Sequence, residues 1–313
     1  MKKILFLFLL VQNLLLGQGV KFTVADEIDY LLRDPFFNSC QIGVDVYNIS
    51  KKEIVYRHND RLLFRPASNM KIITTTAALY FLGPEYKYKT ELKYDGEIED
   101  SVLNGNLYFV GGFDTDFTSD DLDSMIHVLS EKGITQINGN IYADVSKMDS
   151  LFWGQGWMWD DDPSYDFPYM TPLAINDVSM YVAIEPTSIG EKAKITTIPE
   201  SNYFEYVNNI TTVDNDTSDL TISRDWINRS DSLILEGGIF VDSEPDTIMI
   251  NLKNSNKYFL TLAKETLGKN SIKLFGKCGI KVTPEDVHEI ALKERLYKDV
   301  IINLNKSNDI LSA

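Results

Sequence analysis

Between about residues 175 and 250 the chain is rich in Thr, Asn, Asp and Ser and carries only short apolar alternations, whereas helical spacing appears on both sides. A period of two suits half-buried strands and cannot supply the broad apolar stripe that a helix buries. The middle of the chain must therefore build β-structure, and its flanks mixed structure. The N-terminal flank alternates through Ile42-Gly43-Val44-Asp45-Val46-Tyr47, turns at Lys51-Lys52-Glu53 and returns through Ile54-Val55-Tyr56, which predicts a hairpin. Arg65-Pro66-Ala67-Ser68 reads as a loop, the run to Leu82 has apolar residues at helical spacing, and Gly83-Pro84 stops it. Residues 88–92 and 103–110 predict strands, and 120–132 a helix capped from Ser119 and ended by Gly133. Helical pattern resumes at 257–267 and 284–292, and 300–304 predicts a strand or a helix end. No internal repeat is present. This order predicts one α/β unit interrupted by β-rich material.

Charge narrows the function classes. With 46 Asp+Glu against 30 Lys+Arg the net charge is -16, which excludes a nucleic-acid partner, because phosphate binding rests on clustered cations, and disfavours an anionic membrane surface. Two cysteines make neither a disulfide scaffold nor a zinc spacing. Only His58, His127 and His288 are available for histidine chemistry, and surface or packing roles suit them. Lys2 and Lys3, the apolar stretch from Ile4 to Leu16 and Gly17-Gln18-Gly19 predict a cleaved secretory signal over residues 1–19. No later stretch is apolar enough to span a bilayer, so the mature chain is expected to be soluble in a periplasmic or other extracytoplasmic compartment. Such a compartment permits a Cys40–Cys278 disulfide; two small buried apolar side chains are the other reading.

The most informative chemistry lies at Ser68-Asn69-Met70-Lys71. A serine hydroxyl is a weak nucleophile and needs an adjacent base. Residues three apart share a helix face, so the Lys71 amine falls near the Ser68 hydroxyl, and a desolvated lysine among other donors can accept its proton. Two fixed residues in four recur by chance, so the surroundings carry the assignment. The segment Phe64-Arg65-Pro66-Ala67-Ser68-Asn69-Met70-Lys71-Ile72-Ile73-Thr74-Thr75-Thr76-Ala77-Ala78-Leu79, with Leu82-Gly83-Pro84 after it, resembles the nucleophile segment of penicillin-binding D-alanyl-D-alanine carboxypeptidases. More narrowly it resembles their low-molecular-mass class C branch, the PBP4-type carboxypeptidase/endopeptidases. Gly105-Asn106-Leu107-Tyr108-Phe109-Val110-Gly111-Gly112-Phe113-Asp114 resembles that branch's glycine-rich strand and turn. Trp153-Gly154-Gln155-Gly156-Trp157-Met158-Trp159-Asp160-Asp161, with Tyr165 and Pro168, resembles its aromatic and acidic segment. The likeness covers roughly residues 35 to 313.

The resemblance implies a serine DD-peptidase/β-lactamase-like transpeptidase domain, α/β (α+β), interrupted by a large β-rich insertion. Residues 20–92 are its first part, 93–250 the inserted material with a nested part near 186–235, and 251–313 its second part. It implies cleavage of D-Ala-D-Ala in peptidoglycan stem peptides through a Ser68 acyl-enzyme, with Lys71 as base, no cofactor or metal, and β-lactams as inhibitors. The family's second motif, Ser-x-Asn, falls at Ser307, 239 residues beyond Ser68; Ser307 would relay a proton to the leaving group. Asp309 stands where asparagine is expected. Ionised aspartate offers only acceptors where asparagine also donates, so either Asp309 contacts substrate in altered form or Asn308 does. The third motif, Lys-Thr/Ser-Gly, is missing: Lys277-Cys278-Gly279 precedes Ser307 and reads as a turn beside a strand. The expectation is a chain that lacks a C-terminal part.

By the same resemblance the aromatic and acidic segment receives the stem-peptide side chain, Asp161 pairing with a diamino-acid ammonium and Trp159 or Tyr165 flanking its methylenes. Trp153, Trp157 and Trp159 could equally be packing aromatics. Asp114, Asp116, Asp120 and Asp121 look like a calcium cluster, but a turn and a helix cap explain them better. A catalytically inactive envelope protein that binds peptidoglycan or a partner through the same scaffold is the alternative, supported by Asp309 and the missing motif and opposed by the intact Ser-x-x-Lys segment.

Overall fold

The computed structural model describes residues 23–215 and 219–307. The predicted signal over residues 1–19 lies outside them, as do Asn308 and Asp309. Two compact units divide at Ala67/Ser68.

In the first unit, α1 (Val24–Leu31) starts in a capping box in which Thr23 and Asp26 satisfy each other's backbone N–H. The predicted hairpin follows as β1 (Val44–Asn48) and β2 (Glu53–His58), antiparallel with Val44 opposite His58 and Asn48 opposite Glu53. The Tyr56 hydroxyl donates to Asp29 at 2.6 Å, tying hairpin to helix.

The second unit opens with α2 (Asn69–Leu82), stopped by Gly83 at φ 81, a left-handed conformation that favours glycine. Next come β3 (Lys87–Tyr94), β4 (Glu97–Glu99), β5 (Val102–Asn104), β6 (Leu107–Val110), α3 (Ser119–Glu131), β7 (Gln136–Ile137) and β8 (Ile141–Asp144). The predicted strand at 103–110 is thus two strands, broken at Gly105-Asn106. A Cβ on Gly105 would lie 1.9 Å from the Asp95 carbonyl oxygen, and the Asn106 N–H donates to the Asp95 carboxylate at 2.5 Å. Helix α3 begins one residue earlier than predicted, with Thr118 as the cap in a capping box with Asp121. Its buried Leu122, Met125, Ile126 and Leu129 follow the i, i+3, i+4, i+7 spacing of a single buried face.

The β-rich middle is as expected. Strands β9 (Ser179–Glu185), β10 (Lys194–Ile198), β11 (Tyr206–Val213), β12 (Thr221–Arg224), β13 (Leu233–Phe240) and β14 (Asp246–Asn251) form two three-stranded sheets, β10-β9-β14 and β11-β13-β12. Helix α4 (Ser255–Lys269) fills the predicted helical run and leads to β15 (Lys273–Leu274), β16 (Cys278–Ile280), β17 (His288–Leu296) and α5 (Tyr297–Ser307). A five-stranded sheet runs β16-β8-β6-β3-β17 and a four-stranded one β15-β7-β5-β4. Leu107, Phe109, Ile141 and Ala143 from the larger sheet share a core with α3 and with Phe259, Ala263 and Leu267 of α4. The Phe109 and Phe259 rings meet edge to face at 5.2 Å.

Residues 284–292 are not the predicted helix. From His288 the chain is strand β17, antiparallel to β3 with Leu292 opposite Glu91 and Leu296 opposite Lys87. The apolar run is too short for its period to decide between helix and strand. The decision comes from β3, whose free edge β17 covers, and from cross-strand charge: Glu294 meets Lys87 at 2.6 Å and Lys89 at 3.2 Å. Residues 300–304, read as strand or helix end, lie inside α5. Cys40 and Cys278, each in its own unit, are exposed, so they are not the buried apolar fillers of the other reading.

Candidate active site

Ser68 is the N-cap of α2, with φ -59 and ψ -15, and its side chain makes no capping hydrogen bond. An N-cap serine ordinarily gives its oxygen to an N–H of the first turn; here the hydroxyl is not spent that way. Ala67 before it has φ 44, a left-handed conformation that costs a non-glycine residue about 1–2 kcal/mol and turns the backbone sharply at the start of the helix. The Lys71 amide donates to the Ser68 carbonyl at 3.1 Å, which closes the first turn and sets residues 68 and 71 on one face. Ser68 is exposed and Lys71 half-buried.

Three β-branched threonines follow. The hydroxyls of Thr74, Thr75 and Thr76 donate to the carbonyls four residues back, at 3.1, 2.8 and 2.6 Å, the local bonding that lets threonine sit inside a helix. Thr75 is the helix's buried residue. Its carbonyl accepts from the Tyr297 hydroxyl at 3.1 Å, and the Tyr297 N–H donates to the Tyr86 carbonyl at 2.8 Å. Tyr297 opens α5, and Ser307 is the last described residue of that helix. The structure thus joins the helix that begins beside Ser68 to the helix that carries Ser307.

Trp159, Asp161 and Tyr165 come together elsewhere, in a cavity of about 900 Å³ between the 159–165 segment and strands β12, β13 and β14. Ser68, Lys71 and Ser307 are not among its lining residues. Trp159 and Trp226 face each other edge to face at 6.3 Å across it. The three consecutive aspartates differ. Asp162 is buried and holds Arg224 through two bonds of 2.7 and 3.2 Å. Asp161 accepts the Met158 N–H at 2.6 Å and fixes the turn, and Asp160 is exposed. Trp153 and Trp157 are packing aromatics, edge to face with each other at 5.1 Å and in ring contact with Tyr169 and Phe167.

The acidic turn is filled by the protein's own cations. Arg295 of β17 donates to Asp114 at 2.8 Å and to Asp121 at 2.9 Å, and Lys293 pairs with Asp121. Burial works to raise the Asp121 carboxyl, yet the hydrogen bonds from Lys293 and the Thr118 N–H and the Arg295 charge outweigh it and hold it low. Asp114, 1% exposed, goes the other way: burial raises its carboxyl further than Arg295 lowers it. Asp120 stays exposed in the first turn of α3.

A serine thus heads a helix with a lysine one turn on, and β-rich sheets stand between that helix and α5 in the chain. The chain matches the crystal structure of penicillin binding protein 4 (DacB) from Haemophilus influenzae with a TM-score of 0.74 at 24% identity, over 87% of this chain and 60% of that one. The D-Ala-D-Ala carboxypeptidase 3 (S13) family model matches residues 24–311, and the chain belongs to that family. It is 26% identical over 284 residues to a D-alanyl-D-alanine carboxypeptidase of Actinomadura sp. (strain R39), covering 86% of this chain and 51% of that protein. It is 32% identical over 120 residues to the D-alanyl-D-alanine carboxypeptidase DacB of Haemophilus influenzae, covering 38% of this chain and 25% of that one. The chain therefore spans about half the length of the Actinomadura relative.

Sequence reasoning missed Trp226, Arg224 and Tyr297. The first two were visible only as a lone tryptophan and one of two arginines in an acidic β-rich stretch. Tyr297 carried no local signal, since its partner is 222 residues away.

Proposed function

We propose that the protein is a serine-type D-Ala-D-Ala carboxypeptidase, and a DD-endopeptidase, acting on peptidoglycan stem peptides outside the cytoplasm. The observation that carries this is Ser68 at the head of α2, its hydroxyl not engaged in capping, with Lys71 one turn on. In the proposed reaction the Ser68 Oγ bonds to the carbonyl carbon of the penultimate D-alanine while Lys71 takes the hydroxyl proton. Backbone N–H groups hold the oxyanion. The C–N bond then breaks, and the proton passes through Ser307 to the departing amine. Water attacks the acyl-enzyme in the second half and restores Ser68. Cross-link cleavage follows the same steps, because that scissile bond also follows a D-alanine.

In this proposal residues 20–92 and 251–313 belong to the transpeptidase-like domain and 93–250 to the insertion. Asn308 or Asp309 contacts the substrate amide beside Ser307. The cavity of Trp159, Asp161 and Tyr165 receives the stem-peptide side chain, its aromatic walls and carboxylates suiting an ammonium on an aliphatic chain. Among the described residues no helix is long and apolar enough to cross a membrane.

The test is the intact mass of the full-length protein after incubation with benzylpenicillin. One covalent adduct is expected on the wild type and none on Ser68→Ala. A wild type without adduct, or an adduct that survives Ser68→Ala, would sink the assignment.

A further inference from the structure

The residues proposed for chemistry sit on two helices, and each helix is fastened one turn away from them. On α2, Thr75 is four residues from Lys71 and therefore on the same face. Its hydroxyl donates to the Lys71 carbonyl at 2.8 Å, and its own carbonyl accepts from the Tyr297 hydroxyl at 3.1 Å. On α5, Asn303 lies one turn before Ser307, and its amide donates to the Asp116 carboxylate. Asp116 is held in turn, because the Arg295 guanidinium donates to its carbonyl at 2.9 Å while gripping Asp114 and Asp121.

Helix α5 is described from Tyr297 to Ser307. One fastening fixes a point on a helix but leaves its direction open. Tyr297 and Asn303 are six residues apart, about 9 Å along the axis, so the two together fix direction and rotation. Tyr297 is 4% exposed, lies edge to face near Tyr88 at 6.1 Å, and its hydroxyl is pushed by burial above the ordinary tyrosine range. The acidic turn that looked like a calcium cluster thus acquires a different use: with Arg295 it forms the rigid base on which Asn303 rests.

We propose that Tyr297 and Asn303 are positioning residues, which set the helix that carries Ser307 against the helix that carries Lys71. This rests on the acyl-enzyme reading above. It adds a role for the insertion, since Asp116 lies within it: the inserted body holds the second motif in register with the nucleophile.

The experiment measures the benzylpenicillin acylation rate constant and the affinity of the preceding noncovalent complex on full-length protein, with the active fraction titrated for each variant. Tyr297→Phe keeps the ring and removes the hydroxyl. A displacement of a reacting group by about 1 Å costs up to roughly a hundredfold, so the acylation rate constant is expected to fall about ten- to a hundredfold while noncovalent affinity stays near the wild-type value. Asn303→Asp sets a carboxylate against Asp116 and is expected to slow acylation similarly. Adding Asp116→Asn to Asn303→Asp returns a donor to face an acceptor and is expected to restore the rate. Wild-type rate constants per active molecule in Tyr297→Phe and Asn303→Asp, with only the denaturation midpoint lowered, would show purely structural contacts and overturn the proposal. Failure of the Asp116→Asn exchange to restore the rate would overturn the Asn303 part. A wild type that forms no adduct refutes the serine-enzyme reading and the positioning role with it, a result distinct from an acylated wild type with indifferent variants.

Discussion

Asp162→Ala tests how the β-rich body is held together. The Arg224 side chain is 2% exposed and that of Asp162 fully buried. The guanidinium makes five hydrogen bonds: two to the Asp162 carboxylate at 2.7 and 3.2 Å, two to the Asn251 carbonyl and side-chain oxygens at 3.2 and 2.9 Å, and one to the Asp231 carbonyl at 3.0 Å. It therefore ties β12 to the 159–165 segment, to the end of β14 and to the approach to β13. Asp162→Ala removes two charge-assisted bonds, about 1.5–3 kcal/mol each, and leaves a buried cation without its counter-charge. Removing one partner of a buried pair costs about 3–5 kcal/mol, in line with the sum of the two bonds. The loss is read from urea unfolding followed by tryptophan fluorescence, Trp159 and Trp226 both lining the adjoining cavity. Replacing both partners, as Asp162→Leu with Arg224→Met, is expected to cost less than Asp162→Ala alone, because the stranded charge leaves with the pair. A single-variant loss under about 1 kcal/mol, the range of exposed ion pairs, or a double variant as costly as the sum of the singles, would refute the reasoning.

Acid stability should follow three carboxylates. Burial works to raise Asp95, Asp121 and Asp144, but hydrogen bonds from Asn106 and Tyr108, from Lys293 and the Thr118 N–H, and from Ser146 and Thr283 outweigh it, so each lies below the ordinary value of 3.8. A lowered carboxylate stabilises the fold above its unfolded value and loses that contribution as pH falls through the folded one. Asp114, raised, adds stability as pH falls through its own value. The urea midpoint is therefore expected to hold from neutral pH down to about 4 and to drop below it; a steep drop already between about pH 7 and 5 would contradict these assignments. Gly105→Ala should cost about 1–3 kcal/mol or more, since the new methyl meets a backbone oxygen at 1.9 Å, whereas Gly133→Ala, at φ 80 with open space around it, should cost only about 1–2 kcal/mol of backbone strain. Thermal unfolding that ranks the two the other way would refute the steric account.

The elements read correctly from the sequence were those whose signal is local. The hairpin of β1 and β2, α2 with its Gly83 stop, and α3 with Leu122, Met125, Ile126 and Leu129 on one face each carry their pattern within a few residues of themselves. The placing of Ser68 and Lys71 one turn apart at the start of α2 was legible for the same reason, because a single helical turn sets it. Strand β17 was misread because the deciding partner, β3, lies some two hundred residues upstream: the Lys87–Glu294 pair spans a separation of 207. Its own nine residues alternate too loosely to reveal which edge they would cover.

The run Asp160-Asp161-Asp162 marks where local reasoning stops. Three identical side chains stand in sequence, and nothing about their type or spacing separates them. The fold sends one into solvent, closes a turn on the Met158 N–H with the second, and buries the third against Arg224. That last assignment is made by a residue 62 positions further on, and a buried carboxylate can persist as a charge only where such a cation arrives. Asp162 is thereby committed to structure. The other carboxylates lining the cavity are Asp160, Asp161 and, from the far wall, Asp225. The family resemblance singles out the aromatic and acidic segment, but which of its carboxylates is taken up by the fold follows only from where Arg224 lands.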